Sequence, residues 1–182
     1  MSETCSYSVN EDNILIDVGG SWSRFACDND APELQEPAPL GRSLFDFIGD
    51  RTTAQLYLQV LTQVRRRQRT QAFDIRCDGP TVRRFLRITF APAPHGGVSV
   101  KSELLREESR DAVRLLDPAA ARGGELLKSC SWCERVSIMG GWFEIEEAAA
   151  RLRLFDAALL PVLTHGICAD CLDRVERELA LP

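Results

Sequence analysis

The sequence predicts an α+β fold, in which an antiparallel sheet with helices on one face is followed by a connecting helix and a small cysteine-rich module. Three observations predict it: a short β-rich run at residues 13–18, a helical apolar stripe at residues 51–67, and three β-rich runs between residues 72 and 102. The order of a strand, helices and then three strands favours a single antiparallel sheet over alternating βαβ units. The predicted parts are the sheet domain at residues 10–105, the connecting helix and linker at residues 106–123, and the module at residues 124–182.

Composition and charge narrow the class of protein. The 182 residues are 45% hydrophobic, as in a globular protein, and 22 basic against 27 acidic residues give a formal charge of −5. That charge argues against a surface built throughout for phosphate backbones. The apolar stretch at residues 157–163 is interrupted by Pro161 and is shorter than the ~20 residues that cross a bilayer. The first five residues lack the positive and apolar parts of a secretory signal, so we expect a cytoplasmic protein without membrane association.

Each early element of the predicted sheet domain has its own signal. Residues 13–18 form a β-rich strand that ends at Gly19 and Gly20, and residues 43–48 form a brief helical turn. Residues 51–67 then form a helix with one buried stripe. The residues of this stripe are Leu56, Tyr57, Val60, Leu61 and Val64.

Three successive antiparallel strands are predicted after this helix. They cover residues 72–77, 82–90 and 98–102, and turn residues at 78–80 and 92–97 separate them. We expect the first strand to join them in the same sheet, with the helices on one face.

The run from Asn13 to Ser102 resembles a PAS domain in element order and length. Two short segments are also similar to PAS sequences, namely Trp22-x-x-Phe25-Ala26 and Gly41-Arg42-Ser43-Leu44 before the brief helical turn. The resemblance covers about half of the chain. It implies a domain that senses a small-molecule ligand or mediates dimerisation.

Residues 103–117 are predicted to form an exposed connecting helix. Their apolar residues recur at helical intervals among many charges, and Asp117-Pro118 ends the segment. In PAS-containing signalling proteins such a helix commonly packs against its twin, so the resemblance implies a homodimer. The alternative is that the helix folds back on its own domain.

Four of the seven cysteines form two Cys-x-x-Cys pairs, Cys130 with Cys133 and Cys168 with Cys171. Two residues between thiolates let the chain turn tightly and present both sulfurs to one ion at ~2.3 Å. Because four thiolates suit a closed tetrahedral site, we predict that these four cysteines bind structural zinc as the cofactor. His165 is an alternative ligand that would replace one thiolate. The expected reducing compartment disfavours disulfides, and the lack of a βαβ context disfavours a thioredoxin-like role.

The residues around the pairs predict a treble-clef-like module. β-rich runs at residues 135–138 and 142–145 flank Met139-Gly140-Gly141 and predict a hairpin. The second cysteine pair opens a helix, and an amphipathic segment at residues 146–160 precedes that helix. A stretch of about 55 residues rarely buries enough apolar surface to fold by itself, and a bound metal can supply the missing stability. The pairs with His165-Gly166-Ile167 resemble a small module that follows PAS or receiver domains in bacterial signalling proteins.

Signals of catalysis are missing from the sequence. His95 and His165 are its two histidines, and it has no Ser-His-Asp order, phosphate-binding glycine loop or kinase signature. We therefore expect no enzymatic activity and name no catalytic residue. His95 lies in a Pro/Gly turn, which disfavours haem ligation, and the motif of the light-sensing flavin PAS subclass is missing. Cys27 and Cys77 are either redox-sensing thiols or small buried apolar residues.

These observations favour a non-catalytic signalling sensor or adaptor whose module binds a signalling protein partner. The alternative is a nucleic-acid-binding transcriptional regulator, because treble-clef-like modules often contact nucleic acid and arginines are concentrated between residues 65 and 87. Those arginines equally fit the solvated end of a helix and the exposed face of a hairpin. A third hypothesis is a thiol-based redox sensor that loses zinc on oxidation. The arginines are Arg65, Arg66, Arg67, Arg69, Arg76, Arg83, Arg84 and Arg87.

Overall fold

Two sheets, of five and four strands, organise an α+β protein, and the computed structural model describes it over residues 4–28 and 31–180. The strands are β1 (Thr4–Val9), β2 (Leu15–Gly20), β3 (Gln71–Arg76), β4 (Val82–Pro92), β5 (Val98–Ser109), β6 (Arg122–Cys130), β7 (Val136–Ile138), β8 (Gly141–Phe143) and β9 (Leu160–Gly166). The helices are α1 (Trp22–Asp28), α2 (Arg51–Arg67), α3 (Ile145–Arg151) and α4 (Ala169–Ala180), and short 3-10 turns lie at Pro32–Leu34, Leu44–Phe47, Pro94–Gly96 and Arg114–Leu116. Within the described ranges, none of the helices combines the length and the apolarity needed to span a membrane. Residues 1–3, on which part of the expectation about a secretory signal rested, lie outside the described residues.

The first sheet has the order β2-β1-β5-β4-β3, and all neighbouring strands in it are antiparallel. The three successive strands predicted between residues 72 and 102 are confirmed as β3, β4 and β5. The run predicted as the first strand corresponds to β2, but it lies at the edge of the sheet, and β1 lies between it and β5. Strand β1 is absent from the sequence prediction, although Tyr7 and Val9 alternate there with small polar residues and Val9 is fully buried.

Helix α2 begins and ends where the sequence predicts. Its N-cap is Asp50, whose Oδ2 accepts hydrogen bonds from the Thr53 backbone N–H at 2.7 Å and from the Thr53 hydroxyl at 3.0 Å. The helix ends at Gln68, which has a left-handed φ of 49°. Its apolar stripe contacts β4 and β5, so the helix covers one face of the first sheet. The buried apolar residues of the stripe are Leu56, Val60, Leu61 and Val64.

The prediction of a connecting helix at residues 103–117 is wrong. Strand β5 runs through the first half of this segment and pairs with β4, and a single 3-10 turn follows. The charged residues that suggested an exposed helix instead form pairs across the two strands. Arg84 Nε, for example, lies 2.9 Å from Glu107 Oε1. The Arg106 guanidinium also lies 3.6 Å from the centre of the Phe85 ring. Cross-strand pairing therefore overrides the helical spacing, and this segment supplies no helix for packing in a dimer.

The second sheet has the order β8-β7-β6-β9, with β6 and β9 parallel and the other pairs antiparallel. The hairpin predicted around Met139 is confirmed as β7 and β8, and the helix at the second cysteine pair is confirmed as α4. Strands β6 and β9 are absent from the sequence prediction, because Gly123, Gly124 and Pro161 interrupt their apolar patterns. Helix α3 forms the first half of the amphipathic segment. The buried core of this sheet and α3 contains Leu127, Val136, Ile138, Ile145, Ala148 and Leu160.

An ionic cluster joins the first sheet to the β7–β8 hairpin and to α3. The Asp78 carboxylate is fully buried; it pairs with Arg76 and lies 2.9 Å from Arg110 Nη1. Arg76 Nη1 in turn lies 2.7 Å from Glu144 Oε2, just before α3. The further charged pairs across this joint are Arg83 with Glu144, Arg83 with Glu146 and Arg110 with Glu146. The pairs that cross the joint therefore combine largely buried arginines with partly exposed glutamates.

Changing Asp78 to Ala is expected to destabilise the protein by about 3–5 kcal/mol, because Arg76 and Arg110 lose their buried counter-charge. Glu107→Ala removes the exposed partner of Arg84 and is the matched control, with an expected cost below ~1 kcal/mol. Urea unfolding of both variants measures the difference. Equal losses of stability would show that the ionic cluster does not stabilise the joint.

Candidate metal centre

The four cysteines of the two Cys-x-x-Cys pairs come together where the two sheets meet. Cys130 is the last residue of β6, Cys133 lies in the turn that follows, Cys168 directly precedes α4, and Cys171 lies in the first turn of α4. Their Sγ atoms all lie within 4.8 Å of one another. The structure therefore brings together the four residues that the sequence singles out.

Backbone hydrogen bonds fix the turn of the first pair. The Cys130 N–H donates to the Arg135 carbonyl at 2.8 Å, and the Glu134 N–H donates to the Cys130 carbonyl at 2.9 Å. The Ser131 N–H donates to the Gly166 carbonyl at 2.8 Å, which ties this turn to the end of β9. Because β6 and β9 are parallel, the two cysteine pairs follow the same end of the sheet.

Backbone amides also point at the sulfur atoms. The Cys168 N–H donates to Cys130 Sγ at 3.3 Å, and the Cys171 N–H donates to Cys168 Sγ at 3.4 Å. Hydrogen bonds from backbone N–H groups stabilise a sulfur acceptor that carries negative charge. The backbone is thereby arranged for negatively charged sulfur ligands.

Hydrogen bonds within the cluster spread the thiol pKa values apart. Bonds from Cys133 and Cys171 lower the pKa of Cys130, whereas the bond to Cys130 raises the pKa of Cys133 to about 12. Bonds to Cys130 and Cys133 also raise the pKa of Cys171. The sulfurs therefore share protons among themselves, and a metal ion has to displace those protons in order to bind.

The spacing and burial of the sulfurs fit a closed metal site. A tetrahedral ion with metal–sulfur bonds of ~2.3 Å holds its sulfurs ~3.8 Å apart, and Sγ of Cys133 and Sγ of Cys168 are 3.8 Å apart. Cys130, Cys168 and Cys171 are buried, with exposed fractions of 0%, 1% and 4%. The four side chains can therefore hold a metal ion without leaving an open coordination position.

His165 lies outside this cluster. It is exposed in β9, opposite Ser129 of β6. Across the described part of the chain, the group of side chains that can hold a metal consists of the four cysteines. The geometry thus favours the four-cysteine ligand set over the alternative in which His165 replaces a thiolate.

Trp132, which lies inside the first cysteine pair, packs into the core of the first sheet. Its side chain is 1% exposed and meets Tyr57 of α2 and Phe73 of β3 edge to face, with ring centroids 5.7 and 6.1 Å away. Cys130 and Trp132 therefore share one apolar core with α2 and the first sheet. Nothing in the sequence spacing of Trp132 indicates these partners in distant segments.

The cysteines outside the cluster differ in access to solvent. Burial raises the pKa of Cys77 to about 11 and also raises the pKa of Cys5. Because the thiolate is the reactive form, both surroundings disfavour redox sensing. Cys27 is exposed. Of the two thiols that sequence analysis considered as redox sensors, Cys27 is therefore the accessible one.

Most of the concentrated arginines interact with groups of the protein itself. Arg65 donates hydrogen bonds to the carbonyls of Gly96 and Asn10, both at 2.8 Å. The arginines that lie within 4.0 Å of a carboxylate are Arg76, Arg83, Arg84 and Arg87. These side chains neutralise internal charges, which reduces the positive surface that a phosphate backbone would meet.

Comparison with known proteins identifies no relative: no family model matches the chain, and neither a curated protein nor a solved structure matches it. Its function is therefore inferred from the geometry described above.

In metal-loaded protein, a maleimide should label Cys27 quickly and leave the four clustered cysteines unmodified, because buried, metal-bound thiolates do not react. Chelation should make those four reactive, as intact mass spectrometry would show. Cys27→Ser is the matched control and should lose only the fast label. Fast labelling of the four before chelation would contradict a closed site.

Metal affinity is expected to fall as the pH is lowered, because the ion binds thiolates and competes with protons on Cys133 and Cys171, whose pKa values are raised. Competition with a coloured chelator between about pH 8 and about pH 6 measures this dependence. An affinity that does not change over this range would argue that thiols are not the ligands.

Proposed function

We propose that the chain is a non-catalytic signalling adaptor, in which a PAS-like sheet domain is coupled to a structural zinc module that binds a protein partner. The observation that carries this proposal is the buried four-sulfur cluster at the joint between the two sheets. A closed metal site stabilises the arrangement of the parts around it and leaves no coordination position for a substrate.

The first sheet supports the PAS-like part of the proposal. After its first strands come the short helical segments, then the long helix α2, and then three successive strands. That is the element order on which the resemblance to PAS domains rests. Helix α2 covers one face of the sheet, as the resemblance expects, and such a domain would supply sensing or dimerisation.

Ligand chemistry supports zinc as the metal. Zinc favours sulfur ligands in tetrahedral arrangement and has no redox chemistry of its own. The β7–β8 hairpin after the first cysteine pair, and α4 with Cys171 in its first turn, follow the order of a treble-clef-like module. Helix α3 and strand β9 are inserted between them. Zinc would tie the turn after β6 to the start of α4.

Exposed apolar side chains support a partner-binding surface on the module. Leu126 is 71% exposed and pairs with Val162 across β6 and β9, so these two side chains lie on the same face of the second sheet. Met139 at the hairpin tip is fully exposed, and Phe155 and Leu159 are 61% and 59% exposed. Adjacent exposed apolar side chains such as Leu126 and Val162 are typical of protein–protein contact sites.

The nucleic-acid alternative loses its main support in this structure. It rested on the arginines between residues 65 and 87, and four of them pair with carboxylates of the same chain. The module itself also carries acidic residues near its surface, including Glu146 and Asp170. A protein partner therefore fits the surface better than a phosphate backbone.

Leu126→Asp is expected to abolish partner capture while the protein stays folded, because the side chain is exposed and the change removes apolar contact area. Ile16→Asp is the matched control, since Ile16 is 56% exposed on β2, outside the module, and should keep capture. Crosslinking in cells followed by affinity purification and mass spectrometry compares both variants with the unchanged chain. Zinc-loaded, folded protein that captures no partner, or that captures the same partners in all three forms, would contradict the adaptor function.

A further inference from the structure

Trp132 is attached to the cysteine turn and to the first sheet at the same time. It lies between Cys130 and Cys133, so two of the four sulfur ligands set the position of its backbone. The Arg76 N–H donates to its carbonyl at 3.0 Å, which attaches the same turn to the end of β3. The metal centre and the first sheet therefore meet at one residue.

The indole of Trp132 completes a cluster of four rings between α2 and the first sheet. Its centroid lies 5.7 Å from that of Tyr57 and 6.1 Å from that of Phe73. Both of those rings also meet Phe90 edge to face, at 5.7 and 6.1 Å. Because the indole lies inside the core of the sheet domain, any movement of Trp132 changes the packing of that domain.

One polar atom of Trp132 is buried without a partner. Its Nε1–H makes no hydrogen bond with the described residues, whereas the Nε1–H of Trp22 donates to the Leu34 carbonyl at 2.6 Å. A buried donor without a partner is destabilising, because it has lost its hydrogen bond to water. The position of this indole therefore depends on the turn that carries it, which backbone hydrogen bonds and the four sulfur ligands hold together.

The remainder of the joint is anchored away from the cysteines. Arg76 with Glu144 and Arg83 with Glu146 tie the first sheet to α3 and the residue before it, at 2.7 Å in each pair. The small core of the second sheet contains none of the four cysteines. Loss of the metal should therefore loosen the cysteine turn while the two sheets stay attached.

We propose that Trp132 is a metal-dependent switch: the loaded centre holds its indole in the ring cluster of the first sheet, and release of the metal lets the indole leave. This inference rests on the proposed function and adds a signal to it, the metal occupancy of the module. When the indole leaves, Tyr57, Phe73 and Phe90 lose their fourth ring, and an apolar space opens between α2 and the sheet. The sheet domain thus responds to the state of the cysteine cluster.

Single-tryptophan forms of the full chain test the switch. Trp22→Phe with Trp142→Phe leaves Trp132 as the reporter, and Trp132→Phe with Trp142→Phe leaves Trp22, in α1 of the first half, as the matched control. The metal content, emission spectrum and acrylamide quenching of each are measured before and after chelation. We expect chelation to shift Trp132 emission to the red and to raise its quenching several-fold, with little change at Trp22 and reversal when zinc is returned.

Three other outcomes would contradict the switch, and one of them would also contradict the proposed function. Unchanged Trp132 emission after complete removal of a bound metal overturns the switch and leaves the zinc site standing. A red shift of both reporters shows general unfolding, which also overturns the switch. Protein that holds no metal and has four titratable thiols in the cluster overturns both the switch and the proposed function.

Discussion

Four sulfur atoms within 4.8 Å of one another are the constraint on which the rest of this structure depends. Such a group cannot be fully ionised without a cation, so it either keeps protons or binds a metal. Structural zinc contributes about 10–16 kcal/mol in zinc-finger peptides, whereas this module also shares a core with the first sheet. The parallel pairing of β6 and β9 and the start of α4 both bring the cysteines to this place. The local fold of the module is therefore organised around the four clustered cysteines.

The position of the four sulfur atoms also affects the first sheet, because the module is not separate from that sheet. The Trp132 side chain extends from the cysteine turn into the core beneath α2, and Val175 of α4 belongs to the same core. The buried Asp78 carboxylate holds Arg76 and Arg110 beside this core. A sheet domain and a cysteine module that share a core in this way can influence each other without a connecting helix. Coupling through a common core accounts for the proposed adaptor function.

Elements that depend on neighbours in sequence could be predicted, and elements that depend on distant segments could not. The apolar stripe predicts α2, the turn at Met139 predicts the hairpin, and the cysteine spacing predicts all four candidate ligands. The second half of β5 depends instead on pairs such as Arg84 with Glu107, which are 23 residues apart. The pairing of β6 with β9 and the position of Trp132 beneath α2 likewise come from long-range contacts, which no local spacing displays.

X-ray absorption at the zinc edge, on protein purified without added metal, tests the central claim most directly. We predict one zinc ion per chain, surrounded by four sulfur atoms at ~2.3 Å. A metal shell containing nitrogen or oxygen would contradict the four-cysteine site. Metal-free protein in which Cys133 and Cys168, whose sulfurs lie 3.8 Å apart, are joined as a disulfide would contradict the metal centre altogether.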